Sequence, residues 1–293
     1  MCGKDEFFRA LRNAYAQKHS QVCTKRTKIY RNMKLVIVGA GNIGGAVACG
    51  LLEKNSVKAS DVSIVDVNEG RLKEMAAQYA GIRVSSSNED RDAWVKESDV
   101  VIVAVKPWLV DEVIGGIASS LTGKQSLCVI AAGVDFKQID ARLKTKVASF
   151  RVMPNTAMTI GESMTLISSQ RATKEQEEQV MWIFNCLGKA VLIPENMQGA
   201  ATSVCSCGIA YALRYLRAAV EGAVEMGFRA DVAHEMVAQT MKGAAELILK
   251  NHSHAEAEID KVCTPGGWTI KGLNEMEAQG FTNSVIKGIT INK

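Results

Sequence analysis

LVIVGAGNIG, Leu35 to Gly44, decides how the chain is read. The apolar run Leu35-Val36-Ile37-Val38 suits a parallel strand covered on both faces. Gly39-Ala40-Gly41-Asn42-Ile43-Gly44 then fits G-x-G-x-x-G. Alone the pattern is weak; behind a strand and opening a helix it predicts a dinucleotide site. Gly39 permits a tight turn and Gly41 lets a pyrophosphate approach the backbone. Gly44 lets the helix pack on the sheet, with its N-terminus toward the phosphates. The plain alternative is a strand–helix turn that binds nothing.

Outward from this stretch the chain alternates. Strand patterns fall at 62–66, near Arg83-Val84, at 100–105, 127–131 and 148–152, and at Val191-Leu192-Ile193. Helical patterns lie between them, at about 42–54, 69–79, 89–97 and 108–119. Such alternation predicts a doubly wound, mostly parallel sheet, an α/β fold. After Pro194 only helical periodicity remains. The expected organisation is an α/β domain at 33–194 and an all-α domain at 195–293. Residues 1–32 are basic and acid-poor, which leaves a weak organelle-targeting reading, but Met33 looks like a natural start, so they read first as a disordered upstream extension.

The bulk numbers restrict the function classes. A chain of 293 residues suits two domains. The net charge of +4 sits largely in residues 1–32, so nothing calls for a nucleic-acid partner. No long apolar window indicates a membrane span. Eight cysteines without a regular framework suggest free thiols and a cytoplasmic protein. Cys205-Ser206-Cys207 and His252-Ser253-His254 lack the spacing of a zinc site, so no metal is expected.

In such sheets ligands gather at the carboxyl ends of the strands. Asp66 ends the second strand, where an acid accepts hydrogen bonds from adenosine ribose hydroxyls and repels a 2′-phosphate. That position leans toward NADH over NADPH; Arg71, one turn on, could offset it, and Asp66 could also be a helix cap. Ala104-Val105-Lys106-Pro107, Ala131-Ala132-Gly133 and the Asn155 segment close three further strands, within reach of the nicotinamide end. Pro and Asn also suit ordinary turns. None of His19, His234, His252 and His254 lies at a strand tip, which disfavours a histidine-based dehydrogenase.

Thr264-Pro265-Gly266-Gly267-Trp268-Thr269-Ile270 stands apart. Thr264 suits an N-cap and Pro265 a first helical turn. Two glycines in that turn would each cost up to about 1 kcal/mol relative to alanine. They would leave helix N–H groups uncovered for a carboxylate. A capped structural helix does not explain them.

Together these segments resemble the pyrroline-5-carboxylate reductase family over about residues 33–288. The resemblance rests on Gly39–Gly44, Ala104–Pro107, Arg151–Thr156, Ala238-Gln239-Thr240 with Gly243-Ala244-Ala245, and above all Thr264–Gly267 with Thr269-Ile270. It implies reduction of Δ1-pyrroline-5-carboxylate to L-proline by NADPH or NADH, the last step of proline biosynthesis. It implies a Rossmann domain plus a helical domain that forms a homodimer, with dimers often assembling into a ring of five. The substrate would lie between nicotinamide and the C-terminal helices, contacting Thr264, Gly266, Gly267, Trp268 and Asn155. Thr269 would be the catalytic hydrogen-bond or proton donor to the ring nitrogen. Trp268 replaces the family's usual small residue, and Asp66-Val67-Asn68 replaces a segment that often reads a 2′-phosphate.

Two rivals remain at this level. A β-hydroxyacid dehydrogenase would need a lysine on a C-terminal helix; Lys242 and Lys250 lie in no matching motif. A non-catalytic dinucleotide-binding scaffold would have no need of residues 264–272.

Overall fold

The computed structural model describes residues 30–291. Its first unit carries one eight-stranded sheet, ordered β3-β2-β1-β4-β5-β6-β7-β8. The strands are β1 (Leu35–Val38), β2 (Val62–Val65), β3 (Arg83–Ser85), β4 (Val100–Val103), β5 (Ser126–Val129), β6 (Ala148–Met153), β7 (Ser163–Gln170) and β8 (Gly188–Leu192). The helices between them are α1 (Asn42–Glu53), α2 (Glu69–Gln78), α3 (Asn88–Glu97), α4 (Val110–Ile117), α5 (Phe136–Arg142) and α6 (Lys174–Asn185). Every strand pair is parallel except β6 with β7.

Alternation along the buried strands feeds two cores, one on each face. Leu35 and Ile37 pack with Leu51, Phe150 and Phe184, whereas Val36 packs with Val101, Ile114 and Phe136. Adjacent strand residues point to opposite faces, so a wholly apolar β1 requires helices on both sides.

The strand–helix alternation predicted up to β6 is present. Three elements were not anticipated: the short helix α5, the strand β7, which is rich in serine and threonine, and α6. The start of α6 is a capping box. Thr173 Oγ1 accepts from the Gln176 amide, and Gln176 Oε1 accepts from the Thr173 amide.

Residues 1–29 of the expected extension lie outside the described residues. The last part of it belongs to the fold: the Tyr30 ring lies 5.3 Å from that of Trp182, and the Tyr30 carbonyl accepts from the Met33 amide.

Compact units divide at Cys205 and Ser206, later than Pro194. Helix α7 (Gln198–Cys205) stays with the sheet because Gln198 is buried and its Nε2 donates to Ser168 on β7. The second unit is helical: α8 (Gly208–Glu225), α9 (Ala230–Asn251), α10 (Ala255–Val262), α11 (Trp268–Ala278) and α12 (Phe281–Thr290). Tyr211 and Tyr215 of α8 meet α12 through the Gly288 carbonyl and the Phe281 ring. Among the described residues, no helix is long and apolar enough to cross a membrane.

Candidate active site

Three strands end level: Val38 pairs with Val65 on one side and Val103 on the other. Their carboxyl ends form the crevice where a doubly wound sheet binds ligands. Gly39 turns the chain here at φ +109°, a region that side chains rarely adopt. A Cβ on Gly39 would lie 2.5 Å from the Ala104 carbonyl oxygen. Gly44 lies against the Gly39 carbonyl with no room for a Cβ, so the first turn of α1 seats on the loop. A Cβ on Gly41 would meet nothing within 4 Å: its surface is open. The tight turn at Gly39 and the close packing at Gly44 therefore follow from local sterics, and Gly41 is left open.

Beside the loop lies a cavity of about 240 Å³, lined by Ala40, Gly41, Asn42, Asp66, Asn68 and Arg71. Asp66 braces it. One carboxylate oxygen accepts from the Ala40 amide at 2.5 Å, the other from the Asn68 amide at 2.8 Å. The cap of α2 is Asn68, whose Oδ1 accepts from the Arg71 amide; Asp66 is not that cap. Arg71 reaches back to the Ala40 carbonyl through Nε, at 3.4 Å, and pairs with Glu74 through Nη1, at 3.1 Å. Asn68 was missed as a cavity residue. An asparagine just past a strand tip, immediately ahead of a helical run, is the signal that could have found it.

The other strand tips are placed as follows. Ala104 donates to the Val38 carbonyl, Lys106 is exposed, and Pro107 opens a short 3-10 turn to Leu109. Ala131 is buried, and Gly133 turns at φ +78° beyond β5. Asn155 is spent inside the fold. Its Nδ2 donates to the Cys205 carbonyl, its Oδ1 accepts from Ala157, and it is 6% exposed. That geometry ties the end of β6 to α7 and gives Asn155 the role of a brace.

The second unit contains a separate feature at the start of α11. Thr264 is not the N-cap. Its carbonyl accepts from the Gly267 amide at 2.9 Å, closing a turn with Pro265 and Gly266 at its centre. Gly266 has φ +69°, which is what a type II turn requires at its third position. Gly267 is the true N-cap, extended, and a Cβ there would strike Thr264 Oγ1. The paired glycines thus precede the helix and cost it no propensity. Trp268, Thr269 and Ile270 occupy its first turn. Trp268 is 90% exposed, and Thr269 is half-buried.

Helices α1 and α11 share one trait. Each begins behind an extended glycine, with neither a side-chain cap nor an acidic residue in the first turn. By contrast α2, α3, α5, α6 and α10 are capped by Asn68, Ser87, Asp135, Thr173 and His254. An open N-terminus offers unpaired N–H groups and a positive dipole end to an anion.

Other candidates are bland. Lys250 pairs with Glu246 at 3.0 Å on the surface of α9. The His254 Nδ1 accepts from Glu256, as a cap. Cys205 is partly buried, and burial pushes its thiol pKa up, away from reactivity.

Comparison with known proteins places these features. Residues 195–291 match the family described as pyrroline-5-carboxylate reductase dimerisation, and residues 34–133 match NADP oxidoreductase, coenzyme F420-dependent. Pyrroline-5-carboxylate reductase 2 of Dictyostelium discoideum is 33% identical, over 91% of this chain and 93% of its own length. Pyrroline-5-carboxylate reductase 1 of the same organism is 37% identical over 89% of this chain, which spans 49% of that longer protein. The crystal structure of Plasmodium falciparum pyrroline carboxylate reductase with NADP bound aligns with a TM-score of 0.78. It is 25% identical and covers 89% of this chain and 96% of its own.

Proposed function

The chain belongs to the pyrroline-5-carboxylate reductase family, and from that premise we propose that it reduces Δ1-pyrroline-5-carboxylate to L-proline with NAD(P)H, the last step of proline biosynthesis. The observation that carries the reading is the open N-terminus of α11 with Thr269 in its first turn. A dinucleotide-binding scaffold would have no use for it.

The residues of the glycine loop fit a nicotinamide dinucleotide. Gly41 leaves backbone uncovered, α1 presents free N–H groups, and the cavity at Asp66 adjoins them. When bound, that cofactor supplies the hydride. The chain's own residues do the rest. The amides at the start of α11 hold the substrate carboxylate, with Gly267 giving close approach. Thr269 hydrogen-bonds the ring nitrogen. A threonine hydroxyl is a weak acid, so Thr269 orients or relays a proton. Thr264 and Gly266 fix the turn that aims this helix end. Lys106, Pro107 and Gly133 border the nicotinamide end, and Asn155 holds its own loop in place.

NADH is the preferred cofactor on this reading. A carboxylate at the tip of β2 would repel a 2′-phosphate, and Arg71, the nearby cation, pairs with Glu74. The assembly is a cytoplasmic homodimer built through the helical unit, able to associate into a ring of five dimers. Among the described residues of that unit only Val220 and Ala233 are buried apolar residues, whereas Leu213, Met236, Leu249 and Ile286 are among many left exposed.

Initial rates with this imine and each cofactor test the proposal. Oxidation of NADH or NADPH only when the imine is present is expected. No turnover with either cofactor would sink it.

A further inference from the structure

The carboxylate of Glu195 joins parts of the sheet that are far apart in sequence. Arg151 on β6 pairs with Val129, the last residue of β5, on one side and with Ser168 of β7 on the other. One oxygen of Glu195, Oε1, accepts from two donors, each at 2.8 Å: Arg151 Nη1 and the amide of Phe136. Both donors need a partner. The Arg151 side chain is 15% exposed, and a guanidinium so far from water is costly without an anion beside it. The Phe136 amide lies in the first turn of α5, where no helical carbonyl reaches it. Asp135 caps that turn by accepting from Gln138, which leaves the Phe136 amide to Glu195. A negative charge also suits this end of the helix dipole.

Glu195 is itself firmly placed. Ile193 donates through its amide to the Ile167 carbonyl of β7 and accepts from Ser168 Oγ, and Gln198 Nε2 donates to that same Ser168 oxygen. The chain is thus fastened to β7 on both sides of the carboxylate. The loop that the carboxylate reaches, between β5 and α5, is held less tightly. Ala132 and Gly133 are exposed, and Gly133 turns at φ +78° with open space where a Cβ would stand. Packing secures only the far side of the loop, where Val134 and Phe136 enter the core. Glu195 ties that side to β6 and, through its own segment, to β7.

On the proposed reading, in which Gly133 borders the nicotinamide end, we infer that Glu195 is a positioning residue for hydride transfer. It fixes the loop 131–136 against the sheet, so that the reactive ring is presented at one distance and one angle. It acts through the Phe136 amide and Arg151 and touches neither substrate nor cofactor. The glycine loop at the other end of the cofactor carries most of the affinity, so loss of Glu195 appears in rate and not in binding.

The test compares Glu195→Ala and Glu195→Gln with wild type in the full-length protein. Titration with NADH counts the cofactor-binding sites, so that kcat refers to folded protein alone. Glu195→Ala should lower kcat per site about tenfold, within what a small misplacement of the reacting groups costs. The NADH Kd should not change, which separates positioning from binding. A glutamine oxygen still accepts from both donors, so Glu195→Gln should keep most of the rate. Hydrogen exchange at the amides of residues 131–136 should quicken about tenfold in Glu195→Ala, as loss of a hydrogen bond to a charged group implies, with the strands unaffected. An unchanged kcat per site overturns the inference. So does a loss of binding sites that accounts for the whole fall in activity, or faster exchange across all the strands, since either gives the pair a role in folding alone. If the wild-type protein reduces no imine with either cofactor, the functional reading itself fails, and the exchange rates separately report whether Glu195 holds the loop.

Discussion

The carboxylate of Asp66 accepts a hydrogen bond from the amide of Ala40 at 2.5 Å. The tip of β2 is thereby tied to the middle of the glycine loop, 26 residues away in sequence. On the proposed reading, one side chain both shapes the glycine loop and sets the charge beside the cofactor ribose. Asp66→Ser should weaken NADH binding about tenfold and improve NADPH relative to NADH by a larger factor. A hydrogen bond to a charged group contributes about 1.5–3 kcal/mol. The ratio of kcat/KM for the two cofactors checks this, and an unaltered ratio removes Asp66 from cofactor choice.

Gly39 and Gly41 should respond oppositely to a methyl group. Gly39→Ala forces a side chain into φ +109° and against the Ala104 carbonyl, so it should lower stability by about 1–3 kcal/mol. Gly41→Ala meets nothing and should leave the melting temperature within about 1 °C while raising cofactor KM. Thermal denaturation beside cofactor titration distinguishes the two.

At the start of α11 the expected split is between binding and chemistry. Gly267→Ala places a methyl group against Thr264 Oγ1 and narrows the approach to the helix amides. It should raise the imine KM with cofactor KM unchanged. Thr269→Ala should lower kcat about 100-fold, the lower range for a positioned proton donor. Thr269→Ser should restore much of it, and a full rate in Thr269→Ala would exclude the hydroxyl from the mechanism.

The Arg171 guanidinium grips Asp140 with both nitrogens, at 2.8 and 2.5 Å, and holds its carboxyl below the usual carboxylate range. A depressed folded-state pKa contributes stability that is present above the unfolded value of about 3.9 and lost as pH falls through the folded value. Both side chains are partly exposed, so the contribution is under about 1 kcal/mol. Asp140→Asn should therefore be slightly less stable at neutral pH, and its difference from wild type should shrink as pH falls through the lowered carboxyl pKa. Denaturant midpoints across pH check the sign.

Much of the fold was legible because β1, β4 and β5 are buried on both faces and read as plain apolar runs. β7 was not. Ser163, Thr165 and Ser168 are buried polar residues there, and Ser168 Oγ donates to the Ile193 carbonyl, so composition concealed a core strand. The glycine loop was readable residue by residue, since each glycine answers to a local steric demand. The start of α11 was read one turn early. Thr264-Pro265 has the letters of a cap, but Pro265-Gly266 has those of a type II turn, and the positive φ of Gly266 decides between them. Asn155 was less legible: a polar residue at a strand tip can face a ligand or brace a loop, and its bracing bonds are visible only in the fold.

The scarcity of buried apolar side chains in the helical unit bears on how activity is acquired. With Val220 and Ala233 as the only buried apolar residues among those described there, that unit has too little interior to hold itself together alone. A newly made chain would then complete only its sheet half by itself. The rate at which activity appears on refolding should depend on chain concentration, second-order when dilute, with encounter between chains as the slow event.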